Sequence, residues 1–112
     1  MNKLPQANSL IVEETKIIGY LLALDHIEGG SKARFFLARG FSAEAWRNFA
    51  DALKRHGTTQ TVTMEEVTRH GRKYIVECVI ETPDGLNPCI LTVWILSGQN
   101  PPRLITAHPN SP

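Results

Sequence analysis

The sequence predicts an α+β domain in which about three N-terminal helices pack on one face of a four-stranded antiparallel meander sheet. Apolar residues in the first half of the chain recur at helical spacing. After Gly57 the composition shifts to Thr, Val and Ile, and turn signals divide this half into four segments. A run of helices followed by a run of strands is typical of α+β folds.

The composition is that of one folded domain, residues 1–112, with 42% hydrophobic and 21% charged residues. Residues 1–9 are predicted to form an extended arm and residues 109–112 a short tail. Twelve basic and eleven acidic residues give a net charge of +1, so any anion site must be local. The start, MNKLPQANS, has no apolar core of signal-peptide length, and no later stretch has the roughly 20 apolar residues that a membrane helix needs. This predicts a cytoplasmic protein without a membrane partner, although a toxin domain delivered by a larger polypeptide would look the same.

Three helices account for the first half. Ile17, Ile18, Leu21 and Leu22 share one face of a first helix of about two turns from Thr15. A second helix is predicted over 31–39, with Ser31 as N-cap and Gly40 as stop signal, and a third from the cap Ser42 to the stop signal Gly57.

Four strands account for the second half, near 59–68, 72–82, 88–97 and 103–108. The second strand alternates, with Tyr74 and Val76 on a buried face and Lys73 and Glu77 on a partly wetted one. The third strand is apolar almost throughout, which predicts a central position. Short loops between the strands favour an antiparallel meander.

The sequence gives little support for a metal site or a catalytic cysteine. Four histidines lack HxxxH or HExxH spacing and no phosphate-binding glycine loop is present, so no metal site and no cofactor are predicted. Cys78 and Cys89 lie in separate predicted strands. They are interpreted as buried free thiols, with a cross-strand disulfide as the alternative. His56 and His70 are expected at the surface without a role.

Lys32 interrupts the apolar side of the second helix, falling between Phe35 and Phe36 at about 100° per residue. Two interpretations stay open. The side chain either reaches back to water from the first helical turn, or points into a cleft beside backbone N–H groups that favour anions. Arg34 falls on roughly the opposite side of the helix, where an exposed arginine is expected.

His26 precedes a loop with two glycines. Gly29 and Gly30 are predicted to turn the chain sharply with positive φ and to bring His26 close to Lys32. A histidine beside a lysine and a helix N-terminus is a candidate general base with an anion holder. The alternative is a loop histidine with a structural role.

Alternation along the last strand divides its side chains into two sets, with Leu104, Thr106 and His108 on one face and Arg103, Ile105 and Ala107 on the other. Thr106 and His108 are therefore predicted to meet one ligand. Arg103 joins them only if a β-bulge intervenes.

Six segments spread over nearly the whole chain carry a family resemblance: KLP near the start, IIGYLL followed by Asp-His, GGSKARFFLARGF, RKYIVE, LTVWIL and PRLITAHP. Together they resemble a family of small bacterial domains of uncharacterised function, which occur alone and as C-terminal domains of polymorphic toxins. The most specific parts are residues 26–41 and the final PRLITAHP strand.

That family is similar to the barnase/EndoU/RelE-like (BECR) superfamily, in which N-terminal helices pack on a four-stranded antiparallel sheet and many members are metal-independent ribonucleases. The resemblance implies attack of an RNA 2′-hydroxyl on the adjacent phosphate. His26 would be the base, Lys32 and either Arg103 or Arg34 the phosphate-binding cations, and Thr106 a hydrogen-bond donor.

Two positions depart from the family pattern. Ile27 replaces the usual proline after the loop histidine, which is expected to loosen the loop that carries His26. His108 replaces the usual tyrosine near the chain end, which either removes a hydroxyl or supplies a second acid–base group to the substrate.

The leading hypothesis is a ribonuclease-like toxin-type domain acting on RNA. The alternative is a non-catalytic interaction or immunity-type module that binds a cognate protein through a sheet edge or helix face. A small-molecule domain would need an apolar pocket around Trp94 and Tyr74. The discriminating feature is whether His26, Lys32, Thr106 and an arginine lie within about 10 Å of one centre.

Overall fold

The computed structural model describes residues 3–110. An α-helical turn, α1 (Glu14–Lys16), runs directly into a π-helical turn (Ile17–Leu21) and is followed by α2 (Gly30–Ala38) and α3 (Trp46–Thr59). The strands are β1 (Thr61–Thr68), β2 (Gly71–Val79), β3 (Cys89–Leu96) and β4 (Arg103–Pro109), in the order β1-β2-β3-β4. The predicted α+β class and antiparallel meander are confirmed.

The core lies between the helices and the inner face of the sheet. Tyr74 and Val76 of β2 and Trp94 of β3 are buried against Phe36 of α2 and Phe49 of α3. β3 is an interior strand, as its apolar sequence predicts. The opposite, outer face of the sheet is half-exposed, because alternation directs every second side chain of β2 and β3 away from the helices.

The first helix differs from the prediction. The N–H of Leu22 donates to the carbonyl of Ile17 at 2.8 Å, the i→i−5 bond of a π turn. Ile17 and Leu21 are fully buried, but Ile18 is 40% exposed, so the predicted shared face is wrong for Ile18. The wider turn also determines where Tyr20 points, which matters for the site below.

The second helix begins one residue earlier than predicted, and its cap is not Ser31. Gly29 is the N-cap residue and has no side-chain cap hydrogen bond. Its φ is −93°, so the predicted positive φ is wrong. A glycine is required at position 29 because the Tyr20 side chain packs directly against its backbone. A Cβ there would lie 2.8 Å from Cδ1 of Tyr20. Gly40, with a φ of 102°, does follow the helix end.

The third helix passes through its predicted stop signal. Ser42 accepts a hydrogen bond from the N–H of Ala45 at 3.2 Å in the turn before the helix, which then continues past Gly57 to Thr59. A Cβ at Gly57 would lie 2.8 Å from the Trp94 ring. This glycine lets the helix pack closely on the central strand, a requirement that local sequence does not reveal.

The segments at both ends of residues 3–110 pack on the rest of the domain. Within the predicted arm, Leu4 is 3% exposed and residues Ala7–Ser9 form a 3₁₀ turn. The Thr58 hydroxyl donates to the Ala7 carbonyl at 2.9 Å, which holds this segment on α3. β4 includes Pro109, and residues 111 and 112 of the predicted tail lie outside the described residues.

His56 is buried, so the surface position expected for it is wrong. Its Nε2 donates to the Cys78 carbonyl at 3.1 Å, because a carbonyl can only accept. Nδ1 therefore accepts from the Thr92 hydroxyl at 3.2 Å, and the Thr92 oxygen accepts from the Trp94 indole N–H at 2.8 Å. Burial lowers the pKa of His56 to about 4, so the ring is neutral at pH 7.

Cys78 and Cys89 form a disulfide, so the prediction of free thiols is wrong. The register pairs Cys78 with Ile90 and Val79 with Cys89, which places the two cysteines diagonally on adjacent strands with Cα atoms 4.3 Å apart. Cysteine spacing along the chain cannot reveal this pairing, because it depends on the register of β2 against β3.

A β-bulge in β4 determines which side chains face outward. Thr106 pairs with Val93 and Leu104 with Trp94, leaving Ile105 as the extra residue. Leu104 is consequently buried at 2% exposure and does not share a face with Thr106, contrary to simple alternation. The bulge brings Arg103 to the outer face. Arg103 and Thr106 therefore share a face, although simple alternation places them on opposite faces.

Candidate functional site

Tyr20 is the centre of a polar cluster at the β4 edge. Its hydroxyl lies 2.9 Å from Oγ1 of Thr106, and its ring meets the ring of His26 edge to face at 5.0 Å between centroids. The ammonium groups of Lys16 and Lys32 lie 5.4 and 5.6 Å from the Tyr20 centroid. Because β4 is an edge strand, a side chain of the π turn can reach past it to the outward-facing Thr106.

An open cleft of about 420 Å³, which we call the Tyr20 cleft, lies beside this cluster. Its lining residues are Lys16, Tyr20, His26, Glu28, Ile105 and Thr106. Most of its polar groups are hydrogen-bond donors or cations, and Glu28 is the one carboxylate among them. Such a cleft favours an anion that accepts several hydrogen bonds.

The hydrogen bonds of His26 specify its tautomer. Nδ1 accepts from the backbone N–H of Glu28 at 3.0 Å and of Gly29 at 2.9 Å. In the neutral ring the proton is therefore on Nε2, which can donate to a ligand but has no lone pair to take a proton. The same two bonds hold the loop although Ile27 replaces the usual proline and is 96% exposed.

The Lys32 side chain is partly in water and partly directed towards a cleft, so each of the two predicted orientations is partly correct. Its Nζ donates to the Glu28 carbonyl at 3.1 Å and lies over the Tyr20 ring, and the residue is half-buried. The side chain folds back over the first turn of α2 towards the His26 loop. Its charge is therefore held beside the Tyr20 cleft.

His108 has the opposite tautomer to His26. Nδ1 lies 3.0 Å from the Pro109 carbonyl, to which it must donate, so the lone pair of the neutral ring is on Nε2. His108 pairs with Leu91 in the sheet and faces outward, as Thr106 does opposite Val93. The two residues are about 7 Å apart along β4. The prediction that Thr106 and His108 share a face agrees with this register.

Arg103 and Arg34, the two candidate phosphate-binding arginines, do not line the Tyr20 cleft. Arg103 lines a second open cleft on the outer face of the sheet, about 590 Å³ in volume, which shares Ile105 with the Tyr20 cleft. Arg34 is exposed on α2 and lines neither cleft. Of the candidates, His26, Lys32 and Thr106 are thus brought together at Tyr20, and Arg103 and His108 flank Thr106 on β4.

Sequence reasoning missed Tyr20, Lys16 and Glu28. A tyrosine four residues after a lysine, on the non-apolar side of a short helix, was the one local signal available. Trp94 and Tyr74, which a small-molecule pocket would need, are buried core residues that line neither of these clefts.

Within residues 3–110, no group of three or more His, Cys, Asp or Glu side chains is arranged to hold a metal ion. Over the same residues, no helix has both the length and the apolar character needed to cross a membrane.

The sequence family is established by a match over residues 3–111 to the model described as "Domain of unknown function (DUF6883)". The chain belongs to the DUF6883 family. No curated protein matches this DUF6883 sequence.

A solved structure has a similar fold. It is a chain of the "Contact-dependent growth inhibition toxin - immunity protein complex from Klebsiella pneumoniae 342", with a TM-score of 0.71 and 13% sequence identity. The match covers 89% of the DUF6883 chain and 99% of the other. At this identity the likeness concerns the fold alone.

Proposed function

We propose that this DUF6883 domain is a toxin-type ribonuclease that cleaves RNA without a metal ion at the Tyr20 cleft. The observation that carries the proposal is the convergence on Tyr20 of donors from the His26 loop, the first turn of α2 and the distant strand β4. The Thr106 hydroxyl at 2.9 Å, the His26 ring at 5.0 Å and the Lys32 ammonium at 5.6 Å all surround it. The fold likeness to a chain of a toxin–immunity complex supports a place in such a system, as toxin or as immunity protein alike.

The cleft is suited to a phosphodiester. Lys16 and Lys32 offset the phosphate charge, and Nε2–H of His26 donates to a phosphate oxygen. Of the Tyr20–Thr106 pair, one hydroxyl donates to the other, and the second O–H is free to donate to the ligand.

His108 is the base in this proposal, a role that the family resemblance gives to His26. Its Nε2 lone pair is available and its Nδ1–H is held by the Pro109 carbonyl. The RNA 2′-hydroxyl gives its proton to Nε2 as the 2′-oxygen bonds to phosphorus. The bond from phosphorus to the 5′-oxygen breaks, and that oxygen takes a proton from a lysine ammonium, leaving a 2′,3′-cyclic phosphate.

The test is incubation of total RNA with purified protein in EDTA, followed by chemical identification of the 3′ ends. His108→Ala is expected to slow cleavage by about 100-fold or more, the usual contribution of a general base. His26→Ala and Lys32→Ala are expected to slow it through lost phosphate contacts. Lys54→Ala, a lysine on α3 away from the cleft, is the matched control and should retain wild-type activity.

Three results would count against the proposal. No cleavage by the wild type at high concentration in EDTA would remove it. Equal loss of activity in Lys54→Ala would show that charge alone matters, and full activity in His108→Ala would remove His108 as the base. Circular dichroism of each variant confirms that the comparison is between folded proteins.

A second candidate is a non-catalytic module that binds a cognate protein. β1 is a free sheet edge on which Met64 and Val67 are 54% and 70% exposed, and an exposed edge is a template for an added strand. Co-expression with the product of the adjacent gene, followed by size-exclusion chromatography, tests it. A stable complex that Val67→Glu disrupts would favour this candidate, and no complex would count against it.

We further propose that the domain acts in the cytoplasm, where its RNA substrate is found. On this proposal the Cys78–Cys89 disulfide forms under oxidising conditions before the domain reaches the cytoplasm, because such bonds are rare in reducing compartments.

A further inference from the structure

The second cleft, on the outer face of the sheet, adjoins the Tyr20 cleft. We call it the sheet cleft. Ile105, the bulged residue of β4, lines both clefts and forms the wall between them. Val93, which pairs with Thr106, and Ile95, which pairs with Arg103, are two residues apart on β3. The Thr106 and Arg103 positions therefore lie about 7 Å apart on one continuous surface.

The sheet cleft combines an apolar floor with cations. Lys73, Ile95 and Arg103 are paired in register across β2, β3 and β4, so an apolar side chain lies between two cationic ones. Ile95 and Ile105 are half-buried, and Arg103 is exposed. The residues lining this cleft include no carboxylate.

Among residues 3–110, Lys73 has an acidic side chain within ion-pair distance and Arg103 has none. Glu66 lies 3.7 Å from the Lys73 ammonium, with the side chains 55% and 37% exposed respectively. An ion pair this open is weak and can be exchanged for a phosphate. Arg103 presents a planar guanidinium, whose paired N–H donors match two phosphate oxygens.

We propose that the sheet cleft binds the nucleotide next to the cleaved one in the same RNA strand. The base lies on Ile95 and Ile105, and its phosphate is held by Arg103. The inference rests on the proposed function, since it takes the Tyr20 cleft as the site of the cleaved phosphate. Charge complementarity and the shared wall at Ile105 favour a continuous strand over a separate ligand.

The test compares binding of two non-cleavable RNAs, a 2′-O-methyl uridine dimer and tetramer, by fluorescence anisotropy at several salt concentrations. The wild type should bind the tetramer more tightly than the dimer. Arg103→Ala should weaken tetramer binding about ten-fold and reduce the salt dependence by about 0.7 in log–log slope, with little effect on the dimer. Arg47→Ala, an exposed arginine on α3, is the matched control and should match the wild type.

The outcomes separate this inference from the proposed function. Equal tetramer affinities for Arg103→Ala and Arg47→Ala, or no gain from dimer to tetramer, would overturn the sheet cleft. The same RNAs with free 2′-hydroxyls are then incubated with the wild type. Arg103-dependent binding without cleavage would remove the ribonuclease chemistry and support an RNA-binding sheet cleft. If Arg103→Ala and the wild type cleave both RNAs at equal rates, the ribonuclease chemistry is supported and the sheet cleft is removed.

Discussion

The hydroxyl group of Tyr20 links two parts of the chain that are 86 residues apart, through its hydrogen bond to Thr106. The partner atoms belong to a π turn and to an edge strand just after a bulge, so two local irregularities meet at this contact. Irregular helical turns and bulges are frequent at functional sites because they redirect side chains. At this residue the geometry can be tested without assuming any activity.

A double-mutant cycle tests the contact. Tyr20→Phe and Thr106→Val should each lower the free energy of unfolding by about 1 kcal/mol, because each removes a part-buried hydrogen bond and leaves a hydroxyl without its partner. The double variant should lose less than the sum, with a coupling of about 1 kcal/mol. Urea unfolding measures all four proteins. Strict additivity would mean that the two hydroxyls do not interact in solution.

Among the elements, β2 and β3 are joined in three ways. They share a ladder of eight residue pairs, the Cys78–Cys89 disulfide and the His56 ring of α3, which donates to the Cys78 carbonyl of β2 and accepts from the Thr92 hydroxyl of β3. The disulfide closes a loop with a sequence separation of 11, which contains the exposed turn around Asp84. The cross-link therefore restricts the unfolded chain over the one long connection in the sheet.

Reduction of this disulfide should destabilise the domain. A loop of this length predicts a loss of about 3 kcal/mol from the entropy of the unfolded chain. Dithiothreitol should lower the urea midpoint of the wild type by about 1–3 M. A Cys78→Ala, Cys89→Ala double variant should unfold at the lower midpoint with or without reductant. An unchanged wild-type midpoint in dithiothreitol would contradict the disulfide.

At the scale of the whole molecule, His56 couples stability to pH. Burial holds its pKa at about 4, below the value of 6.5 for an unperturbed histidine. Between these values the unfolded chain binds a proton that the folded protein does not. Stability is therefore fully present above about pH 6.5, decreases as the pH falls, and levels off below about pH 4. The difference corresponds to about 3 kcal/mol.

Urea unfolding at several pH values checks this slope. His56→Gln should remove most of the change between pH 6.5 and 4, since glutamine can replace both hydrogen bonds but does not titrate. His70→Gln, at an exposed histidine in the β1–β2 turn, should retain the wild-type slope. A wild-type stability that is flat over this range would show that His56 is not buried as a neutral ring.

The sequence by itself determined the α+β class, the number of strands and their order along the meander. Periodicity, turn residues and the apolar third strand are local properties, and local properties decide which segments are helices or strands. They also identified Lys32 as unusual, because it interrupts the apolar side of its helix, whereas His26 and Thr106 owe their predicted roles to the family resemblance.

Only the tertiary structure decided what those residues meet. The burial of His56, the Cys78–Cys89 pairing and the contact of Tyr20 with Thr106 depend on register and on packing between distant segments. The bulge at Ile105 reverses the facing of Arg103 and Leu104, which alternation alone assigns to the wrong sides. One inserted residue changes which side chains share a surface, because side chains in a strand alternate with a period of two.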